Sequence, residues 1–168
     1  GTGLGSSSSF SVGLIRALNA FRGEVRSDRA CAELACKLEI ELCESPIGKQ
    51  DQYAASFGGL KVYKFNQDDS VSVQSVACNK NTIEKLNEQT LVFYIGGDRN
   101  ANEILRQQSV ELQQEKKAKG MAKMVDLVWD LKQEFESQSV ENFGPILHEN
   151  WLIKRDLSPG VSNSFIDD

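Results

Sequence analysis

The sequence predicts an α+β protein with two domains, and three observations lead to that class. Apolar residues recur at helical spacing from Phe10 to Phe21. Two runs with the composition of strands, Leu60–Phe65 and Val71–Cys78, follow in the same half of the chain. From residue 90 onwards the apolar pattern is mostly helical, so we predict domains over residues 1–89 and 90–168.

The composition is that of an ordinary globular protein. The chain has 168 residues, of which 40% are hydrophobic and 26% are charged. Its net charge of −5 at pH 7 disfavours nucleic acid and anionic membranes as partners. The chain has one histidine, and its four cysteines form no CxxC pair, so zinc sites and hydrolytic triads are disfavoured. We interpret the cysteines as reduced, partly buried thiols of a cytoplasmic protein.

Local signals predict the remaining elements of the first half. Ser27 suits the N-cap of a second helix, whose apolar stripe runs from Cys31 to Leu42. A loop over 45–48 precedes a short helix over 50–57, which the glycines at 58 and 59 end. Residues 66–70 suit the loop of a β-hairpin between the two strand-like runs.

The second half is predicted to start with a strand over 91–95. Helices follow near 100–117, over 119–136 and over 139–156, and Pro145 kinks the last of these or marks its true start. The stripe formed by Met121, Met124 and Val128 is interpreted as core packing. A face for a partner protein is the alternative.

The first nine residues, GTGLGSSSS, suit an anion site. Glycines let the backbone turn tightly with its N–H groups pointing inward, and a helix that follows adds its positive end. The serine hydroxyls add donors, and one of them suits a bound Mg²⁺. A mobile linker is the alternative, which the immediate start of an apolar helix pattern at Phe10 disfavours.

Two acidic residues are candidates for chemistry. Asp51 stands close to Lys49 at a predicted junction of loop and helix, where an acid held by charge pairing can accept a proton. Glu39 lies beside the apolar stripe of the preceding helix. The alternatives are a capping role for Asp51 and a solvent-exposed position for Glu39.

Together these segments resemble the GHMP kinase family. The resemblance rests on GLGSSSSFSVGL near the start, SPIGKQDQYAASFGGL from Ser45 and VSNSFID from Val161, and it extends over the whole chain. It implies a two-domain fold with a nucleotide-binding half like domain 2 of ribosomal protein S5 and a C-terminal half of helices and sheet. Within the family, GKQDQYA is most similar to the branch that phosphorylates D-glycero-D-manno-heptose 7-phosphate, and fucose or galactose kinases are the alternative.

The resemblance implies a role for each candidate residue. ATP phosphates are expected against Gly3, Leu4, Gly5, Ser6, Ser7 and Ser8. Mg²⁺ is expected on Ser7 and Glu39. Asp51 would accept or orient the proton of the sugar hydroxyl, and Lys49 would supply positive charge or stabilise the charged form of Asp51. Arg99 is a weaker candidate for ligand contact.

The implied reaction converts ATP and heptose 7-phosphate, at its anomeric hydroxyl, into the 1,7-bisphosphate. The expected partners are ATP, Mg²⁺ and a sugar phosphate, with no nucleic acid or membrane and with a homo-oligomer left open. The chain lacks an initiator Met and the glycine-rich motif that the family carries near its C-terminus. We therefore expect a fold incomplete at both ends, marginally stable and inactive alone. A non-catalytic sugar- or nucleotide-binding relative is the alternative.

Overall fold

The computed structural model describes residues 4–93 and 115–157, together with residue 162. The chain divides into two compact units, Gly1–Ser75 and Val76–Asp168. Among the described helices, none is long and apolar enough to cross a membrane. The assignment of residues 1–89 and 90–168 to two kinase domains stays a prediction.

The first unit begins with helix α1, Ser6–Phe21, which starts at Ser6 rather than at the predicted Phe10. The reason is Gly5, which takes the left-handed conformation at the N-cap with φ 64° and lets the serine run enter the helix directly. The predicted apolar face is exposed, by 70% at Phe10 and 91% at Phe21. The side that α1 buries instead carries Ser8, Ser11 and Val12.

Helix α2, Asp28–Cys36, begins as predicted at Ser27, whose Oγ accepts a hydrogen bond from the Ala30 N–H at 3.2 Å. It runs on into a π-helical turn, Lys37–Leu42, which the apolar pattern did not predict. A π-helical turn is wider than an α-helical one and is common near functional sites. This turn buries Glu39, so the predicted alternative of a surface position for that carboxylate is wrong.

Helix α3, Gln50–Phe57, has the predicted bounds and ends at Gly58, whose φ is 59°. Strands β1, Lys61–Phe65, and β2, Val71–Ser75, form the predicted antiparallel hairpin. Both strands are shorter than predicted. Because Ser75 pairs with Lys61 at the start of β1, the residues after Ser75 have no partner in that strand.

The core of the first unit lies between α2, α3 and the hairpin. Its buried centre is formed by Ala32, Cys36, Tyr53 and Val71. The Tyr53 ring stacks on that of Phe57, with 6.0 Å between centroids. This packing fixes α3, which carries Asp51 in its first turn, against α2, whose π-helical continuation carries Glu39.

Arg16 ties the three helices of this unit together. Its Nη2 donates to Asp28 Oδ1 at 2.5 Å and to the Ser56 carbonyl at 2.9 Å. Ser56 Oγ in turn donates to the Asp28 carbonyl at 2.6 Å. The hydrogen bond to Asp28 raises the pKa of Arg16. These bonds hold the middle of α1 against the start of α2 and the end of α3.

All four cysteines are free thiols. Cys31 and Cys36 are buried and Cys78 is half-buried, whereas Cys43 is exposed, so the predicted partial burial is wrong for Cys43. Burial raises the pKa of the Cys36 thiol to about 11. Cys36 is therefore protonated at neutral pH and behaves as a small core residue.

The second unit contains α4, Lys80–Gln89, α5, Glu115–Glu136, and α6, Phe143–Leu157. Helix α4 is missing from the sequence prediction, although its cap is a recognisable signal: Asn79 Oδ1 accepts from the Thr82 N–H at 2.8 Å. The strand predicted over 91–95 is wrong for 91–93, which have exposed side chains and no strand structure. In the described part of the chain, no strand pairs with these residues to form hydrogen bonds with their backbone N–H and C=O groups.

Helices α5 and α6 confirm the prediction of two late helices. Pro145 lies in the first turn of α6, so it marks the start of that helix and produces no kink. Gly120 of α5 permits close packing, because a Cβ there would lie 3.3 Å from Leu157 Cδ2 and 3.4 Å from Ile153 Cγ2. The helix predicted near 100–117 is described only from 115, within α5, and Arg99 and the segment 163–167 lie outside the described residues.

Glu134 joins α5 to α6. Its Oε1 accepts from Ser139 Oγ at 2.5 Å and from the Asn142 N–H at 2.9 Å, and its Oε2 accepts from Asn142 Nδ2 at 3.0 Å. The Asn142 backbone N–H is the largest cause of a lowered pKa at Glu134, followed by the side chains of Ser139 and Asn142. The carboxylate therefore acts as the cap of α6 from the preceding helix.

We expect Glu134→Gln to lower the melting temperature most near neutral pH. A carboxyl whose pKa is depressed by folding contributes stability above its ordinary value of 4.5, and this is lost as the pH falls through the folded pKa. The gap in Tm between wild type and variant should therefore close in acid. Thermal melts between about pH 7 and pH 3 measure it. Asp126→Asn, at an exposed carboxylate of α5, is the control, and a gap that is constant with pH contradicts the capping role.

Candidate active site

The first turn of α1 presents backbone N–H groups without a side-chain cap. The Ser9 N–H makes the first helical hydrogen bond, to the Gly5 carbonyl at 2.9 Å. Gly5 supplies no side chain, and the first turn carries no acidic residue. The N–H groups of Ser6, Ser7 and Ser8 therefore lie at the positive end of the helix dipole, where an anion is stabilised.

Of the residues predicted to bind phosphate, Gly5, Ser6, Ser7 and Ser8 lie in this turn. Leu4 precedes it and is exposed. Gly3 is outside the described residues. The structure thus places four of the six predicted residues at the N-cap and in the first turn of α1.

Glu39 is buried beside the first turn of α1, with 7% of its surface exposed. Its Oε2 accepts from Ser8 Oγ at 2.7 Å and from Gln52 Nε2, and its Oε1 accepts from Ser11 Oγ at 2.9 Å. A carboxylate has about four lone-pair sites. Three are occupied here, so one acceptor site remains on Oε1. The donors that the described residues give Glu39 are all neutral.

A buried carboxylate that has only neutral hydrogen-bond donors is stabilised by a cation. Burying a charge is costly unless an opposite charge or a metal ion compensates it. Hydrogen bonds from two hydroxyls and an amide hold Glu39 in place without cancelling its charge. The site is therefore electronegative at a point next to the first turn of α1.

Asp51 reaches the same turn from α3. A Cβ added to Gly5 would lie 3.4 Å from both Cγ and Oδ2 of Asp51. Asp51 is exposed at the start of α3, whereas Glu39 is buried. Because Gly5 and Ser8 are one helical turn apart, the two carboxylates approach the beginning of α1 at neighbouring points.

Lys49 does not form the pair that the sequence suggested. Its Nζ lies 2.8 Å from Asp69 Oδ1 in the hairpin loop. The hydrogen bond that Lys49 donates to Asp69 is the largest cause of the raised pKa of Lys49. The expected pairing with Asp51 is therefore replaced by one with Asp69, because the β1–β2 loop packs beside the start of α3. Water screens this pair, because the Asp69 side chain is 91% exposed, so Lys49 can exchange partners at little cost.

Two residues of the site were missed, and a third is placed differently. Ser11 and Gln52 are both buried against Glu39. Ser8 contacts Glu39, whereas the side chain of Ser7 is exposed. The expected Mg²⁺ contact of Ser7 stays a prediction. Ser11 follows Ser8 at helical spacing, which is the one sequence signal that pointed to a shared face.

The oxygen atoms at this site fit a magnesium ion. Mg²⁺ prefers oxygen ligands and is usually held by one or two carboxylates together with phosphates and water. Glu39 has one acceptor site left, and Ser8 adds a hydroxyl oxygen. Within the described ranges, no group of three His, Cys, Asp or Glu side chains could enclose a metal ion. The arrangement therefore suits an ion shared with a bound phosphate.

An uncapped helix start with two carboxylates beside it has the parts that a phosphoryl-transfer enzyme uses. Comparison with known proteins agrees with that class: residues 1–59 match the family described as GHMP kinases N terminal domain. This region of the chain is therefore similar to the N-terminal domain of GHMP kinases.

Two characterised relatives align with almost the whole chain. The D-glycero-alpha-D-manno-heptose 7-phosphate kinase of Campylobacter jejuni is 28% identical over 167 residues, which are 99% of this chain and 49% of the relative. The bifunctional fucokinase/GDP-fucose pyrophosphorylase of Arabidopsis thaliana is 25% identical over 171 residues, 99% of this chain and 16% of the relative. The chain therefore spans about half, or less, of the length of these relatives.

Proposed function

We propose that the protein containing this chain is an ATP- and Mg²⁺-dependent sugar kinase. The observation that carries the proposal is the buried Glu39 carboxylate, which has only neutral donors and contacts the phosphate-binding turn at Ser8. A structural carboxylate gains nothing from this position, because an apolar residue would fill it without the cost of desolvation. A site for a magnesium–nucleotide complex accounts for it.

In the proposed reaction, the first turn of α1 binds the phosphates of ATP through its N–H groups. Glu39 and Ser8 would hold Mg²⁺, and the exposed Ser7 hydroxyl would be left for phosphate contact. The ion, when bound, neutralises charge on the β and γ oxygens. The chain's own contribution is to position the phosphates of ATP relative to the sugar hydroxyl, and such positioning supplies much of the catalysis in phosphoryl transfer.

Asp51 is proposed as the group that takes the proton. The sugar hydroxyl oxygen attacks the γ-phosphorus while its proton passes to the Asp51 carboxylate. The bond from phosphorus to the bridging oxygen breaks, and ADP leaves with that electron pair. Lys49 is a cation at neutral pH, and it supplies positive charge near the transferred group rather than acting as a base.

The proposed acceptor is D-glycero-D-manno-heptose 7-phosphate, at its anomeric hydroxyl. The motif GKQDQYA and the Campylobacter jejuni relative support this choice. A fucose-type acceptor is the second candidate, supported by the Arabidopsis relative. Residues 1–89 would then belong to the nucleotide-binding domain and 90–168 to the second domain of a cytoplasmic enzyme.

A substrate panel on the full-length protein tests the proposal. ADP release should be observed with heptose 7-phosphate. For the heptose without its phosphate, kcat/KM should fall by about 10² or more, because an enzyme specific for the sugar phosphate would lose the interactions with that group. Fucose or galactose as the better acceptor would contradict the heptose assignment. Binding of ATP·Mg²⁺ by calorimetry without turnover of any sugar would indicate a non-catalytic relative.

A further inference from the structure

Gln52 has a feature that its position in the motif does not explain. Its side chain is fully buried at 0% exposure. The Nε2 group donates to Glu39 Oε2, while Oε1 has no hydrogen-bond partner in the described structure. An amide buried with one end unsatisfied is unfavourable, and such groups need an explanation.

The orientation of this amide is set by Glu39. Turning the amide over would bring its Oε1 against the carboxylate Oε2, and two acceptors repel each other. The unsatisfied Oε1 is therefore the consequence of directing Nε2 at Glu39. Gln52 gives up one hydrogen bond of its own in order to hold one carboxylate oxygen.

The result is an asymmetric carboxylate. Gln52 and Ser8 together occupy both acceptor sites of Oε2, whereas Ser11 occupies only one site of Oε1. The lone pair that remains available to a cation is thereby confined to one oxygen. Because Gln52 follows Asp51 on α3, the same helix also fixes the distance between the two acidic groups.

We infer that Gln52 is a positioning residue for the metal site: its amide fixes the Glu39 carboxylate so that Oε1 faces the cation. This inference rests on the proposed function. A merely structural Gln52 would be replaceable by an apolar side chain of the same length with no effect on metal affinity. Groups that orient a metal ligand typically contribute 10- to 100-fold to affinity, on the order expected here.

The test measures the affinity of the full-length protein for Mn²⁺ in the presence of a non-hydrolysable ATP analogue. Mn²⁺ substitutes for magnesium and is visible by electron paramagnetic resonance. Gln52→Met keeps the length of the side chain and removes the donor. We expect it to weaken Mn²⁺ binding about tenfold or more, while affinity for the analogue without metal stays within about twofold. Ser56→Ala is the matched control, because it removes a hydrogen bond from the same helix without touching Glu39. It should lower Tm and leave the Mn²⁺ affinity unchanged.

The outcomes separate the inference from the function. Wild-type protein that binds Mn²⁺ with the analogue, with Gln52→Met binding as tightly, overturns the role of Gln52 alone. Wild-type protein that takes up no Mn²⁺ overturns the proposed function and the inference with it. If Gln52→Met does not fold, Gln52→Asn is the variant that tests the inference, since it keeps the amide but shortens the side chain by one methylene group. Its Mn²⁺ affinity should fall, and wild-type affinity would contradict the inference.

Discussion

Asp51→Asn in the full-length protein is expected to lower kcat by about 10²–10⁴-fold. Asparagine has nearly the same size as aspartate, so the close contact with Gly5 is preserved. It carries no charge and cannot take the proton from the attacking hydroxyl. Because the change affects the transition state more than the bound substrates, KM for ATP should change by no more than a few-fold. Steady-state ADP release at saturating substrate measures the effect.

The control for this experiment lies at the other end of α1. Glu24 pairs with Arg22 and Arg26 there, and Glu24→Gln removes one negative charge without approaching the site. It should leave kcat at the wild-type value. Retention of more than half of the turnover by Asp51→Asn, in protein with an unchanged Tm, would show that Asp51 is not the proton acceptor.

The second large effect is expected from Glu39→Gln. The substitution removes the negative charge. It also places an NH₂ group opposite hydrogen-bond donors whose bonds the wild-type carboxylate accepts. Loss of a ligand to a catalytic metal ion removes several kcal/mol of transition-state stabilisation, so kcat/KM should fall on the order of 10²–10³-fold. The Mg²⁺ concentration for half-maximal turnover should rise as well. A titration of activity with Mg²⁺ measures both changes.

Glu41→Gln is the matched control for Glu39. Glu41 lies on the same π-helical turn, but its side chain is exposed. The control variant should give the wild-type magnesium titration. If Glu39→Gln gives that curve too, the buried carboxylate does not hold the ion, and the magnesium site must be sought elsewhere in the full-length protein.

Local signals predicted several elements well. The bounds of α3 and the position of the hairpin follow from Gly58 and from the polar loop over 66–70, which act within a few residues. The start of α1 was placed too late, because a run of four serines is a weak helix former. Gly5 at the N-cap and the packing of Ser8 against Glu39 bring this run into the helix. The prediction of a strand failed for residues 91–93 because no described strand pairs with them, and strand composition alone forms no sheet.

The linear sequence by itself indicated the resemblance to GHMP kinases and the chemical groups of the candidate site. The serine-rich turn, Glu39 and Asp51 are recognisable because their order and spacing are written along the chain. Only the tertiary structure decided that Ser8 rather than Ser7 meets Glu39 and that Gln52 completes the set of donors. Ser8 and Glu39 are 31 positions apart, and contacts over such distances depend on how α1, α2 and α3 pack, which no local pattern of residues encodes.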